Sequence, residues 1–149
     1  MLQRRVPSAT NYFRRTLRIV ARDADLWNGE GDPEAYARKN AILDGHCAEL
    51  GRDPAAIRRT VGVPPVCIRD TRAGAVEALA AILAGHGGSV AGARAWAASS
   101  PLADTVESVA RRVRAWRTAG AEEAVIDLPS PVDDETMEQL AGPIRERLA

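Results

Sequence analysis

The sequence predicts an α/β domain whose strands run parallel. Three observations carry that expectation. Stretches with helical apolar spacing alternate with short apolar runs, the runs lack the in-and-out alternation of a half-solvated sheet, and capping or turn residues separate them. With 149 residues, the chain reads as one domain, long enough to bury roughly 68–70% of the surface its unfolded form exposes.

Residues 1–12 carry Pro7 and several small polar side chains without periodicity, and are expected to be irregular. From Phe13 the spacing becomes helical: Phe13, Leu17, Val20, Ala21 and Ala24 share one face, and Arg14, Arg15, Arg18 and Arg22 take the other. Ala24 to Trp27 reads as a brief strand ending at Asn28-Gly29. A helix then opens at Asp32-Pro33-Glu34. Asp32 can accept orphan backbone N–H groups, Pro33 suits the first helical position, and Glu34 favours the positive end of the dipole. Tyr36, Leu43, Cys47 and Leu50 mark its inner face as far as Gly51. Asp53-Pro54 repeats the start signal for a short helix carrying Ile57. Thr60 to Ile68, apolar and β-branched at both ends, predicts a strand that Pro64-Pro65 interrupts or ends, because proline removes ladder donors.

Residues 72–85 are helical by pattern, with Val76, Leu79, Ala80 and Leu83 on one face. His86 to Ser100, rich in Gly, Ala and Ser around Trp96, reads as a loop with a helical turn at most. Asp104 with Glu107 forms a capping-box-like start, and Val106, Val109, Ala110, Val113 and Trp116 fall on one helical face before Gly120. Ala124 to Leu128, bounded by Gly120 and Pro129-Ser130-Pro131, fits a buried parallel strand. Asp133-Asp134 opens a last helix with Met137, Leu140, Ala141, Ile144 and Leu148 inward, and Pro143 should bend it. Three strands can neither close an eight-stranded barrel nor complete a doubly wound sheet. The chain is therefore either a small open α/β domain or the trailing part of a larger repeating barrel.

Composition narrows the function. Lys+Arg and Asp+Glu balance at 20 each, and 46% of residues are hydrophobic. This argues against disorder and against a protein whose main work is gripping nucleic acid or an anionic membrane. Arg111, Arg112, Arg114 and Arg117 surround Trp116, but Glu107, Glu122 and Glu123 flank them, so they read as a solvated helix face. Cys47 and Cys67 sit in apolar segments and suggest no disulfide scaffold; a reducing cytoplasm is the expected home. Arg4-Arg5 is not followed by an apolar export segment, and no run approaches the ~18–20 residues of a membrane span. His46 and Cys47 are neighbours and point in different directions on a helix, so no metal site with Cys67 and His86 is expected. The sequence contains no Ser/His/Asp arrangement, paired-carboxylate spacing or G-x-x-x-x-G-K-[ST] loop that would declare a chemistry.

Three segments carry a family resemblance: R-R-T-L-R-I-V-A-R-D-A-D-L-W-N from Arg14 to Asn28, G-D-P-E-A-Y-A-R-K from Gly31 to Lys39, and H-C-A-E-L-G-R-D-P-A-A-I-R-R-T from His46 to Thr60. They resemble the luciferase-like monooxygenase superfamily, and most closely its deazaflavin-dependent oxidoreductases. The helix opening from Asp104 to Val113 extends the likeness, as does Ala119-Gly120 followed by Val125-Ile126-Asp127-Leu128-Pro129, so that it covers roughly residues 14–149. The resemblance implies a partial TIM (β/α)8 barrel in which residues 13–149 supply the last βα units. It also implies coenzyme F420, with FMN as the alternative, at the C-terminal mouth of the barrel, and hydride transfer between the cofactor ring and a small organic substrate.

Four residues are candidates for cofactor binding. Arg15 and Thr16 fall in the first turn of the first predicted helix, where backbone donors and a cation can hold phosphate; the alternative is a solvated helix end. Trp27 and Asn28 end a strand on the face where barrel sites lie; the alternative is a core aromatic beside a turn-forming Asn. No catalytic residue is assigned. The family's Gly-rich loop before this helix has no counterpart in Pro7 to Phe13, and family glycines are replaced by Leu26 and Asp104. The first half of the barrel is absent, so little or no activity is expected of the chain alone, with self-association or a partner subunit completing it. A reading frame that starts further upstream is a related expectation. The competing reading is a non-catalytic α/β interaction domain that associates through exposed sheet edges.

Overall fold

The computed structural model describes residues 9–87 and 89–148. Its elements are α1 (Ala9–Asp23), β1 (Leu26–Glu30), α2 (Pro33–Leu50), a 3-10 turn (Pro54–Ala56), β2 (Arg58–Val63), β3 (Cys67–Ile68), α3 (Arg72–Ala84), α4 (Val90–Ser99), β4 (Ala103–Asp104), α5 (Val106–Thr118), β5 (Glu123–Ile126), α6 (Asp134–Gln139), a π-helical turn (Leu140–Ile144) and α7 (Arg145–Leu148). Strands β1, β2 and β5 form one parallel sheet in that order, with Trp27 opposite Arg59 and Val61 opposite Ala124. The expected parallel α/β class is the one observed, and the sheet is not closed: β1 and β5 are its two edges.

Strand periodicity gives the sheet two unlike faces. Trp27, Val61 and Val63 face the helices and join Leu17 and Ala21 of α1, Tyr36, Leu43 and Cys47 of α2, and Val109, Ala110 and Trp116 of α5 in one buried cluster. Each such large side chain contributes about 1.5–3 kcal/mol when fully buried. The alternate positions, Leu26, Asn28 and Glu30 on β1 and Glu123 and Val125 on β5, are exposed. Among the described residues no helix covers them, and they form the face that a complete barrel would enclose.

Local chemistry sets most boundaries as expected. The Asp32 carboxylate accepts the Ala35 N–H at 2.7 Å, Pro33 opens α2, and Gly51 ends it in the left-handed region at φ 66°. Helix α1 begins earlier than Phe13: Ala9–Tyr12 are helical rather than irregular, and the rest of the expected irregular segment, 1–8, lies outside the described residues. Strand β1 runs through Asn28 and Gly29 instead of ending there. Glycine is needed at position 29, because a Cβ would lie 2.6 Å from the Trp27 ring and 2.7 Å from the Tyr36 ring.

The Thr60–Ile68 strand is two strands in two sheets. β2 ends at Val63, Pro64-Pro65 carry the chain away, and β3 pairs in parallel with β4. Between β3 and β4 the segment expected as a loop forms α4, capped by Ser89, whose hydroxyl accepts the Gly92 N–H at 3.0 Å. With α3 it encloses a second small core of Cys67, Ala75, Leu79, Ala80, Ala97 and Ala103. Alanine lets the two helices approach closely.

Two caps differ from expectation. Thr105 caps α5 through the Ser108 N–H, while Asp104 lies in β4 and pairs with Arg72 at 3.2 Å. Asp133 makes no side-chain cap bond, because its carboxylate is held by Arg69. In α6 it is Thr136 that is buried, and Met137 is 40% exposed. Pro143 sits in the π-helical turn, the local distortion anticipated for it.

Candidate functional site

Polar order is concentrated at the N-terminal end of the sheet. Arg59, 8% exposed, donates from Nε to the Ile57 carbonyl at 3.1 Å, from Nη1 to Asn40 Oδ1 at 3.0 Å and from Nη2 to Asp44 Oδ1 at 2.7 Å. Asn40 in turn donates to the Ala119 carbonyl at 2.9 Å, and the Glu122 carboxylate accepts the Arg59 backbone N–H at 2.8 Å. This network ties α2, β2 and the α5–β5 connection together. Its place at the N-terminal ends of the strands marks it as structural.

The C-terminal end is open. A cavity of 670 Å³ lies beside the C-terminal halves of β1 and β2, between β1, α1 and α5. Its walls are mainly aromatic and apolar, from Phe13, Leu17, Trp27, Pro64 and Trp116, with Asn28, Lys39 and Arg112 among the polar groups. Such a mixture suits a small organic ligand. Trp27 stacks on Tyr36 with ring centroids 5.2 Å apart, and the Tyr36 hydroxyl donates to the Thr60 carbonyl at 3.2 Å. Burial pushes the Tyr36 phenol up from its ordinary value. Trp116 Nε1 donates to the Gly31 carbonyl at 2.9 Å, fixing the turn after β1. Lys39, the one lysine of the sequence, donates to the Glu30 carbonyl at 2.8 Å with its ammonium 4.5 Å from the Phe13 ring centroid.

The four candidate cofactor residues fare differently. Trp27, Asn28 and Thr16 all line the cavity, whereas Arg15 is exposed and is not among its walls. Because α1 starts at Ala9, Arg15 and Thr16 lie inside the helix and not in its first turn, so their backbone N–H groups are committed to the helix. That corrects the physical basis on which they were expected to hold phosphate. Trp27 presents its ring to Tyr36 and only lines the cavity, while Asn28, on the open face, has its Oδ1 accepting from the Thr60 hydroxyl at 2.9 Å. The described residues therefore offer wall positions for a ring but no phosphate cradle, and they fit only part of a deazaflavin or flavin.

Sequence reasoning missed a second polar cluster. Arg69, following β3, clamps Asp133 with two hydrogen bonds of 2.8 and 3.0 Å and pairs with Glu135 at 3.0 Å; Thr136 donates to Asp133 and accepts from the Ile68 N–H at 3.0 Å. The Arg69 guanidinium holds the Asp133 carboxyl below its ordinary value, and burial pushes the neighbouring Cys67 thiol up. A high thiol pKa means little thiolate, which is the opposite of what a nucleophilic cysteine needs. The cluster bolts the inserted β3–β4 region to the last helix. The spacing of an isolated Arg and Asp more than sixty residues apart contains no signal of it.

The histidines and cysteines stay apart. His46 contacts the Arg14 carbonyl and Glu49, His86 contacts the Ser130 carbonyl, and the free Cys47 and Cys67 are buried in different cores. Among the described residues no three His, Cys, Asp or Glu side chains gather as a metal site, and no helix is long and apolar enough to cross a membrane.

No family model matches the sequence, and no curated protein matches it. Among solved structures the chain is similar to the coenzyme F420 dependent tetrahydromethanopterin reductase from Methanopyrus kandleri, with a TM-score of 0.70 and 14% identity over 91% of this chain. The match covers 49% of the reductase, so the chain spans about half the length of that protein. The likeness is one of fold: a parallel α/β arrangement similar to about half of that reductase, with the sheet left open.

Proposed function

We propose that this chain is the C-terminal half of a luciferase-like oxidoreductase site, one that works with coenzyme F420, or with FMN as the alternative, and passes hydride to or from a small organic substrate. The observation that carries the reading is the aromatic cavity at the C-terminal ends of β1 and β2, where barrels place their ligands, in a fold similar to half of an F420-dependent reductase. Bound there, the cofactor would supply the hydride chemistry itself. The chain's own share is to line the site: Trp27 and Asn28 would border the ring, and Thr16 would form part of the outer wall. Arg15 and Thr16 would reach a phosphate only through their side chains. Since the described residues form part of a site and no more, the chain alone is expected to be catalytically silent.

Titration of the chain with coenzyme F420, followed by amide and indole NMR shifts, tests this reading. Weak binding is expected, with shifts centred on Trp27, Asn28, Gly62 and Val63. Shifts confined to another part of the molecule, or none, would overturn the assignment of the site. Micromolar affinity measured by deazaflavin fluorescence would overturn the expectation of incompetence.

A further inference from the structure

We propose that Lys39 and Arg112 form an anion-reading wall of the aromatic cavity, so that the site takes an organic anion: an aromatic or apolar body carrying a carboxylate or phosphate group. This rests on the reading of the cavity as the ligand site, and it adds the charge of what enters.

The turn after β1 brings the two cations to one wall. Its consecutive carbonyls are held by two different helices: Lys39 Nζ of α2 donates to Glu30 at 2.8 Å, and Trp116 Nε1 of α5 donates to Gly31 at 2.9 Å. Arg112 lies four residues before Trp116, one turn along the same face of α5, and lines the same cavity. Each helix therefore supplies one cation beside the rings of Phe13 and Trp116.

Neither cation is neutralised by the residues around it. Lys39 is half-buried, with its ammonium 4.5 Å from the Phe13 ring centroid, and among the described residues no carboxylate pairs with it. An ammonium has three donors, and the Glu30 carbonyl takes one of them. Arg112 has no hydrogen bond or ion pair among the described residues. Arg59 and Arg69, by contrast, each hold a carboxylate, Asp44 and Asp133. The two carboxylates that border the cavity do not answer the cations. Asp32 is engaged as the cap of α2, and Glu30 alternates with Trp27 and Gly29 along β1, on the sheet face turned away from the helices. A cation drawn partly out of water without a counter-charge is costly, and a ligand anion supplies that counter-charge through charge-assisted hydrogen bonds. The aromatic walls then hold the ligand's body and the two cations select its charge.

The test is a titration of the full chain with two matched pairs of probes, naphthoate with naphthamide and FMN with riboflavin, followed by the Trp116 indole and Gly31 amide NMR signals. The anionic member of at least one pair is expected to bind about tenfold more tightly than its neutral partner: naphthoate where the anion is the substrate's, FMN where it is the cofactor's. The preference should fall to about threefold in Arg112→Gln, which removes no contact within the described residues, and vanish when Lys39→Gln is added, with circular dichroism matching the parent's. Equal affinity within both pairs, a preference that survives both substitutions, or no response to any probe overturns the proposal. Coenzyme F420 shifts centred on Trp27 and Asn28 beside any of those results would leave the reading of the cavity itself standing.

Discussion

The N-terminal end of the sheet and its two edges are built on opposite terms. Around Arg59 a buried guanidinium has acceptors from α2, the 3-10 turn and Ile57 just before β2, and among the described residues no buried side-chain polar atom lacks a partner. Along β1 and β5, alternate strand positions face solvent, and apolar Leu26 and Val125 are among them. The contrast teaches where the molecule is self-sufficient. The end around Arg59 is closed by its own hydrogen bonds, and the two edges of the sheet are not.

Breaking the finished end should have the largest effect. Arg59→Met leaves the buried Asn40 oxygen without its donor and removes the charged bond to Asp44, and is expected to lower unfolding free energy by about 3 kcal/mol, read by urea denaturation. Gly29→Ala pushes a methyl group into the Trp27–Tyr36 stack and should cost about 2 kcal/mol, with a changed near-ultraviolet signal from the two rings. Trp116→Phe leaves the Gly31 carbonyl without its donor and should cost about 1 kcal/mol.

The Arg69–Asp133 clamp gives a pH signature. Its hydrogen bond lowers the folded-state pKa of Asp133, so the unfolded chain takes up the proton first. The stabilisation is fully present above the unfolded value of about 3.9 and is lost as pH falls through the lowered folded value. Asp133→Asn should be less stable than the parent at neutral pH, and the gap should close in acid. On the unfinished side the expected effects are smallest. Leu26→Ser and Val125→Thr should each change stability by less than about 0.5 kcal/mol, because both side chains are exposed.

How much of this was legible in the sequence follows the same division. Signals that act over three or four residues were readable: the Asp32-Pro33 start, the Gly51 stop, and the Val109–Trp116 face all stand where the pattern puts them. The parallel class was readable too, because helical patterns alternate with short strand-like runs along the chain. What failed depended on distance or on small residues. Helix α4 hid in a Gly, Ala and Ser-rich stretch because its packing against α3 uses alanine contacts instead of large apolar periodicity. β3 and β4 are two residues each and exist only because they find one another. For the candidate site, Trp27 and Asn28 were picked out as a strand end, whereas β1 runs on to Glu30 and both residues line the cavity from within the strand. The misplaced start of α1 is what misdirected Arg15 and Thr16, since a helix boundary, not the residues themselves, was the basis for a phosphate contact.

Amide hydrogen exchange on the chain alone is the most direct test that it is an open half. The account predicts slow exchange throughout the central β2 amides and fast exchange at the β1 and β5 amides that point away from β2. Uniform protection of all three strands in a monomer would contradict it.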